Sequence, residues 1–206
     1  LEPGESLPFM LQTVEVREDG AVLINGEPRF LTGATHQHFR LQHTPAIMKQ
    51  LGLMGHRLNQ GFSYEDTAKM WDDYKLYALQ MKPHKAFGGT VPVVDMTAEQ
   101  KADFEAWVKG GGMKNVVSIN TGGWEATINT SNPDQVAKHA AINDYIRNVS
   151  KRPTAISTSG AYNAYWIPNL VWYDINHAET EMWGPMDFNV IWTPYMKRAR
   201  NRPTTW

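Results

Sequence analysis

The sequence predicts an α/β fold in which single helices separate parallel strands and a short β-hairpin precedes the first of them. Strand-like runs occur at residues 29–34, 55–60, 81–87, 115–120, 153–158 and 171–176, and residues 201–206 read as the start of a seventh. Helix-like stretches lie between these runs, which implies right-handed crossovers in either an open doubly wound sheet or a closed barrel. No glycine-rich phosphate loop follows the first run, so we expect a (β/α)8 barrel of about seven strands, incomplete at its end.

The N-terminal hairpin is predicted by period-two alternation on either side of an Asp-Gly turn. Residues 13–17 and 21–24 alternate, with the first turn at Asp19-Gly20 and a second at residues 25–28. We therefore divide the chain into a lead-in at residues 1–28 and a barrel domain at residues 29–206.

The helices carry start signals. Ser63 and Thr97 are predicted caps, and Thr44-Pro45 and Asn132-Pro133 place proline in the first turn of a helix. A last helix is expected at residues 186–200, with basic residues in its final turn, as the helix dipole favours.

Composition excludes several classes of function. The chain has 206 residues, 42% of them hydrophobic and 20% charged, which suits one globular domain. A net charge of -1 without an extended basic cluster predicts no nucleic-acid partner, and the lack of an apolar run of ~20 residues predicts no membrane partner. No cysteine occurs, so thiolate nucleophiles and disulfides are excluded. A cytoplasmic protein and an exported one that has lost its leader fit equally well.

Polar and aromatic residues gather directly after the strand-like runs, where the active sites of α/β barrels lie. The alternative is that they form ordinary solvated loops. The expected substrate contacts are His36, His38, Arg57, Asn59, Asn120, Trp124, Asn176, His177 and Trp183. Of these, the tryptophans would stack on sugar faces, and Arg57 would hold a carboxylate or form a structural ion pair.

Several short motifs resemble the catalytic barrel of clan-A glycoside hydrolases, nearest to the family-2 type that includes β-galactosidases and β-glucuronidases. Residues 23–34 resemble the NGKPV-L-GVN run that leads into that family's first barrel strand, and residues 35–39 occupy the position of its RHD/H segment. Residues 47–59 resemble D-LMK-N-NAVR-SH, with Arg57 on the family's site arginine. Residues 114–120 resemble NHPSVV-WSLGNE, and the two Arg-Pro-Thr triplets at residues 152–154 and 202–204 resemble its RP-V strand starts.

The resemblance implies hydrolysis of β-linked carbohydrate by two carboxyl groups, without a cofactor or metal. One group protonates the leaving oxygen and the other attacks the anomeric carbon, at a separation of about 5 Å. The family's Asn-Glu pair is absent here, so Glu125 becomes the candidate acid/base if the Gly122-Gly123 turn brings it over the barrel. Glu179 and Glu181 are either a second carboxyl or solvated loop charges.

The family's nucleophile follows the seventh strand and would lie beyond Trp206. We therefore expect a fragment that lacks its last βα unit. An open barrel exposes unpaired strand edges, so we expect a continuation of the chain, a second copy or another chain to cover them.

Two further interpretations stay open. The His36-x-His38 spacing is typical of amidohydrolases that bind a divalent metal, with His177 as a third ligand. Because the second carboxylate is missing, a non-catalytic carbohydrate-binding barrel or pseudoenzyme also fits.

Overall fold

A computed structural model describes residues 10–17, 21–35, 44–58, 63–87, 93–121, 132–159, 175–179 and 204–205. The strands are β1 (Val14–Val16), β2 (Val22–Ile24), β3 (Glu27–Pro28), β4 (Gly33–Thr35), β5 (Gly55–Leu58), β6 (Tyr77–Met81), β7 (Ile119–Asn120), β8 (Thr154–Ser159), β9 (Ile175–Glu179) and β10 (Thr204–Thr205). The helices are α1 (Thr44–Gln50), α2 (Tyr64–Tyr74), α3 (Ala98–Lys109) and α4 (Pro133–Ser150), and a 3₁₀ turn spans Gly112–Asn115.

The N-terminal segment forms a small antiparallel sheet in the order β1-β2-β3. Asn25 (φ 51°) and Gly26 (φ 84°) turn the chain between β2 and β3, and both φ values are positive, as a tight hairpin turn requires. The turn is therefore shorter than the expected residues 25–28, because Glu27–Pro28 pairs with β2. The Asn25 side chain also receives hydrogen bonds from the amides of Gln12 (2.8 Å) and Thr13 (3.1 Å), which ties the turn to the preceding chain.

The main sheet confirms the predicted α/β class. Among the described residues, seven strands form a sheet in the order β10-β9-β8-β7-β6-β5-β4, and each neighbouring pair is parallel. Strands adjacent in the chain are adjacent in the sheet, the order that successive βα units produce. Closure of this sheet into a barrel stays a prediction.

Several strands differ in their bounds from the expected runs, most clearly the third and the sixth. The third strand of this sheet is β6 (Tyr77–Met81), not residues 81–87, because α2 ends at Lys75 in the left-handed conformation (φ 58°). Tyr77 is thus the first residue of β6. The sixth strand, β9, spans Ile175–Glu179 and so extends past the expected run at residues 171–176.

The predicted helix starts are confirmed. Ser63 with Asp66 and Thr97 with Gln100 form capping boxes, in which each side chain bonds the backbone amide of the other. Asn132 accepts bonds from the amides of Asp134 and Gln135 at the start of α4. The expected helix at residues 186–200 lies outside the described residues. Within the described ranges, no helix is long and apolar enough to cross a bilayer.

The main core lies between the helices and one face of the parallel sheet. Its buried members are Met48, Met70, Leu76, Ala78, Met81, Val93, Met96, Phe104, Met113, Val116, Ile119, Ile142 and Ile146. Several of these are methionines, whose unbranched side chains fill irregular space between helices and strands.

A second core joins the N-terminal sheet to the start of the parallel sheet. It consists of Leu11, Val14, Ile24, Trp71, Tyr77 and Val117. Because members of both sheets belong to one cluster, the N-terminal sheet packs directly on β6 and on the residue two before β7.

Arg152 holds this junction. Its buried guanidinium donates hydrogen bonds to the carbonyl oxygens of Leu11 (2.9 Å), Gln12 (3.2 Å), Met113 (2.9 Å) and Val116 (2.8 Å). Burial lowers the pKa of Arg152 to about 10, so the group remains charged at neutral pH. One cation therefore satisfies carbonyls from the N-terminal segment, from the 3₁₀ turn and from the chain that leads into β7.

Gly33 and Gly55 are paired across β4 and β5, and Leu79 packs over both. A Cβ atom on Gly55 would lie 2.5 Å from the carbonyl oxygen of Tyr77 and 2.9 Å from Leu79 Cδ2. Because the first of these atoms is backbone, a side-chain rotation cannot relieve the overlap.

Replacement of Arg152 by methionine tests the junction. Arg152→Met removes the donors and leaves buried carbonyls without partners, so we expect the free energy of unfolding to fall by about 3–5 kcal/mol. Urea denaturation measures it. Arg147→Met, which removes a half-buried arginine paired with exposed Asp144 on α4, is the control and should cost under about 1 kcal/mol. Equal losses in the two variants would contradict the role given to Arg152.

Replacement of Gly55 by alanine tests the close packing of β5 on β6. We expect Gly55→Ala to lower the free energy of unfolding by about 1–3 kcal/mol, because the new methyl overlaps backbone. Gly110→Ala is the control, since its φ is -74° and its nearest new contact is 3.3 Å. A thermal denaturation in which both variants match the wild type would show that β5 and β6 separate more easily than the geometry implies.

Candidate functional site

The carboxyl ends of β5, β6 and β7 lie side by side and define the candidate site. Arg57 in β5 is in register with Gln80 in β6, and Met81 is in register with Ile119 in β7. Asn120 ends β7 and is completely buried. Because parallel strands point the same way, the carboxyl ends of these three strands lie at one edge of the sheet, the edge at which α/β barrels carry their sites.

A β-bulge decides which way Gln80 points. His56 is paired with Ala78 and Arg57 with Gln80, so Leu79 is an extra residue in β6. Ala78 and Met81 both belong to the main core under the helices, although strict alternation would place them on opposite faces. The bulge therefore turns Gln80 to the face opposite the helices.

Gln80 and Asn120 form a buried amide pair on that face. Asn120 Nδ2 donates to Gln80 Oε1 at 3.3 Å, and the two residues are 0% and 4% exposed, respectively. Asn120 Oδ1 is buried, and among the residues that the structure describes none donates a hydrogen bond to it. A buried acceptor without a donor costs about 1–3 kcal/mol, so any donor that reaches this oxygen, such as a hydroxyl, an amide or a water molecule, is favoured there.

The structure places four of the sequence-predicted site residues in strands. Arg57 lies near the end of β5 and Asn120 at the end of β7. Asn176 and His177 lie within β9, in register with Ile156 and Ser157 of β8. Asn176 and His177 were expected to follow the sixth strand. They lie within it because β9 ends at Glu179, three residues beyond the run at residues 171–176 that predicted the strand.

The other predicted site residues lie outside the described residues. They are His36, His38, Asn59, Trp124, Glu125 and Trp183. Of the two glutamates considered as a second carboxyl group, Glu179 is the last residue of β9 and Glu181 lies outside the described residues. In the described part of the chain no three His, Asp or Glu side chains come together as a metal site would require.

The chain after β6 is anchored by α2 and α3. The Tyr64 hydroxyl donates to the carbonyl oxygen of Pro83 at 2.6 Å, and the Tyr64 ring stacks on Trp107 with centroids 4.2 Å apart. Burial raises the pKa of Tyr64, so the hydroxyl stays a donor at neutral pH. His84 Nε2 lies 3.4 Å from an Asp103 carboxylate oxygen, and His84 Nδ1 accepts a bond from the Ala86 amide at 3.1 Å. These contacts fix the end of β6 and with it Gln80.

The chain after β7 is anchored by α4. His139 Nε2 donates to the carbonyl oxygen of Thr121 at 3.3 Å, and Asn143 Nδ2 donates to His139 Nδ1 at 3.2 Å. The Thr121 hydroxyl donates to Asn143 Oδ1 at 2.8 Å. All three residues are fully buried, and burial lowers the pKa of His139 to about 4. The imidazole is therefore neutral at pH 7, which its place in this network requires.

Sequence reasoning missed Gln80 and the three residues of this network. The signal for Gln80 was a polar side chain inside the run Tyr77-Ala78-Leu79-Gln80-Met81, but alternation without a bulge assigns it to the helix side. His139 and Asn143 are four residues apart and so lie on one face of α4. In the sequence, two polar residues at this spacing indicate a solvent-exposed face, so their burial could not be predicted.

The low pKa of His139 predicts a pH-dependent stability. The unfolded chain binds the proton below about pH 6.5 and the folded chain only below about pH 4, so stability due to His139 is present above pH 6.5 and is lost as pH falls toward 4. Relative to His139→Gln, the wild type should lose up to about 3 kcal/mol over this range. Denaturant titrations of both proteins at several pH values measure the difference. A pH-independent difference would contradict a buried neutral imidazole.

Comparison with known proteins shows a shared fold. No family model and no curated protein matches the sequence. The structure is similar to a β-D-glucuronidase of Dictyoglomus thermophilum (TM-score 0.65, 14% identity, 93% of this chain and 38% of that one). It is also similar to β-glucuronidases from an uncultured Clostridium species (0.65, 14%, 95% and 38%) and from Bacteroides uniformis (0.63, 14%, 93% and 26%).

The chain thus spans between 26% and 38% of the length of these enzymes. At 14% identity the likeness establishes the fold alone. The described structure accordingly has the fold of a part of these glycoside hydrolases, with a parallel sheet whose carboxyl edge carries the buried amide pair.

Proposed function

We propose that this chain is glycoside hydrolase-like and acts on β-linked carbohydrate at the carboxyl edge of its parallel sheet. The shared fold with β-glucuronidases supports the reaction class, because parallel α/β barrels carry their sites at this edge. Fold alone does not define function, so the argument depends on the residues at the edge.

The observation that carries the proposal is the unpaired oxygen of Asn120 beside Gln80. Sugar hydroxyl groups donate and accept hydrogen bonds, and neutral amides are suited to both roles. Asn115 has a similarly unpaired buried oxygen, but its amide group donates to the carbonyls of Thr67 and Leu76 among the helices. The position of Asn120 at a strand end, and not the unpaired oxygen alone, distinguishes the candidate site.

The chemistry needs a general acid close to the glycosidic oxygen. Glu125 follows Asn120 by five residues, so it is the carboxyl nearest in the chain to the end of β7, and we assign it this role. In the family that the sequence resembles, the nucleophile follows the strand that here is β10. Both assignments rest on the sequence.

β4 and β10 are the two edge strands of the described sheet, and what covers them determines the partners of this chain. Unpaired parallel edges need cover. We propose that the sheet closes as a barrel, with the edges covered by a further segment, a second copy or another chain.

Hydrolysis of aryl β-glucuronides and aryl β-galactosides by the wild type and by Glu125→Gln, Asn120→Ala and Asn115→Ala tests the proposal. We expect Glu125→Gln to lower turnover by about 10²- to 10⁴-fold, because the general acid is lost. Asn120→Ala should weaken substrate binding by about threefold to tenfold, the effect of one hydrogen bond. Asn115→Ala removes an equally buried amide away from the strand ends, and should reduce stability without changing binding.

The outcomes separate the interpretations. Turnover that is equal in wild type and Glu125→Gln contradicts the role of Glu125. Sugar binding without turnover, measured by calorimetry and weakened by Asn120→Ala, identifies a carbohydrate-binding protein that is not an enzyme. A wild type that neither hydrolyses nor binds these sugars overturns the proposal.

A further inference from the structure

We propose that His139 on α4 is a positioning residue of the carbohydrate site, which it serves by fixing the carboxyl end of β7 and so the orientation of Asn120. This inference rests on the function proposed above, but its geometry stands independently of any ligand.

The contacts of His139 lead directly to the site. Its Nε2 donates to the carbonyl oxygen of Thr121, the residue that follows Asn120. Asn143 donates to the other ring nitrogen and also to the carbonyl oxygen of His139 at 2.7 Å. The Thr121 hydroxyl returns to Asn143 Oδ1, so three buried side chains form a closed set of hydrogen bonds around one peptide. A closed set permits one arrangement of its members.

Thr121 is bonded to three parts of the fold. Its carbonyl oxygen accepts from the Val93 amide (2.8 Å) as well as from His139, and its own amide donates to the Ala155 carbonyl oxygen in β8 (2.9 Å). On the other side of Asn120, Ile119 is fully buried in the main core. Asn120 therefore lies between a residue held by burial and a residue held by hydrogen bonds, and its side-chain amide donates to Gln80.

Apolar packing of α4 would not supply this orientation. Ile142 and Ile146 already seat α4 on the main core. An apolar side chain at position 139 could fill the same volume, but it would offer no directional bond to the Thr121 carbonyl. Burial of an imidazole and an amide is costly unless their hydrogen bonds are satisfied, and here those bonds are directed at the strand end that carries Asn120.

The test compares two substitutions of His139 with a control on the same helix. His139→Gln keeps an N–H donor of similar reach, whereas His139→Leu removes it. Ser150→Ala removes a buried hydroxyl at the carboxyl end of α4, which donates a hydrogen bond to the Ile146 carbonyl oxygen at 2.7 Å. The readouts are the NMR signals of the Asn120 side-chain amide in the free protein, and the Kd for an aryl β-glycoside.

We expect His139→Leu to shift or broaden the Asn120 amide signals and to weaken sugar binding about tenfold. His139→Gln should leave the signals near their wild-type positions and the Kd within about threefold. Ser150→Ala should lower stability while both readouts stay unchanged. Thr121→Val removes the hydroxyl, which donates to Asn143 and lies 3.5 Å from the Ala155 carbonyl oxygen, and it keeps the bond from His139. It should shift the same signals less than His139→Leu, and it is the test if His139→Leu does not fold.

Two results overturn the inference. One is an Asn120 amide that is unchanged in His139→Leu or, should that variant not fold, in Thr121→Val. The other is an equal change in Ser150→Ala, which would show a general loss of stability. If the wild type binds no sugar but His139→Leu still displaces the Asn120 signals, the proposed function fails while the positioning role holds.

Discussion

The buried guanidinium of Arg152 is the constraint on which the architecture depends. It donates to carbonyls of the N-terminal segment, of the 3₁₀ turn and of the chain before β7. Every one of these acceptors is a neutral carbonyl, so the charge is stabilised by oriented dipoles. Because β7 begins three residues after the last of these carbonyls, the same cation that attaches the N-terminal sheet also fixes the chain that leads into β7.

The two ends of β7 are therefore held in different ways. At the amino end a permanent charge binds carbonyls, and at the carboxyl end the neutral network of Thr121, His139 and Asn143 binds one peptide. The first arrangement is insensitive to pH in the physiological range, whereas the second requires an unprotonated imidazole. Acid should therefore loosen the candidate site before it separates the N-terminal sheet.

Local signals in the sequence predicted much of the fold. Caps such as Ser63 and Thr97 depend on neighbours three residues away, and the Asn-Gly turn depends on its own φ angles, so both could be read directly. The start of β6 was misplaced because only two residues, left-handed Lys75 and Leu76, separate it from α2. Asn120 was predicted from its place at a strand end, but Gln80 and His139 were not, because the roles proposed for them depend on a bulge and on contacts between distant elements.

The extra residue in β6 has a consequence for how this surface can change over time. Leu79 is the extra residue, so its deletion would remove the bulge and restore a regular alternation of Ala78, Gln80 and Met81. Gln80 and Met81 would keep the faces that they occupy now, and the lost contact would be the packing of Leu79 over Gly33 and Gly55. A one-codon deletion at this position would thus spare the polar edge and loosen the packing of the first two strands of the sheet.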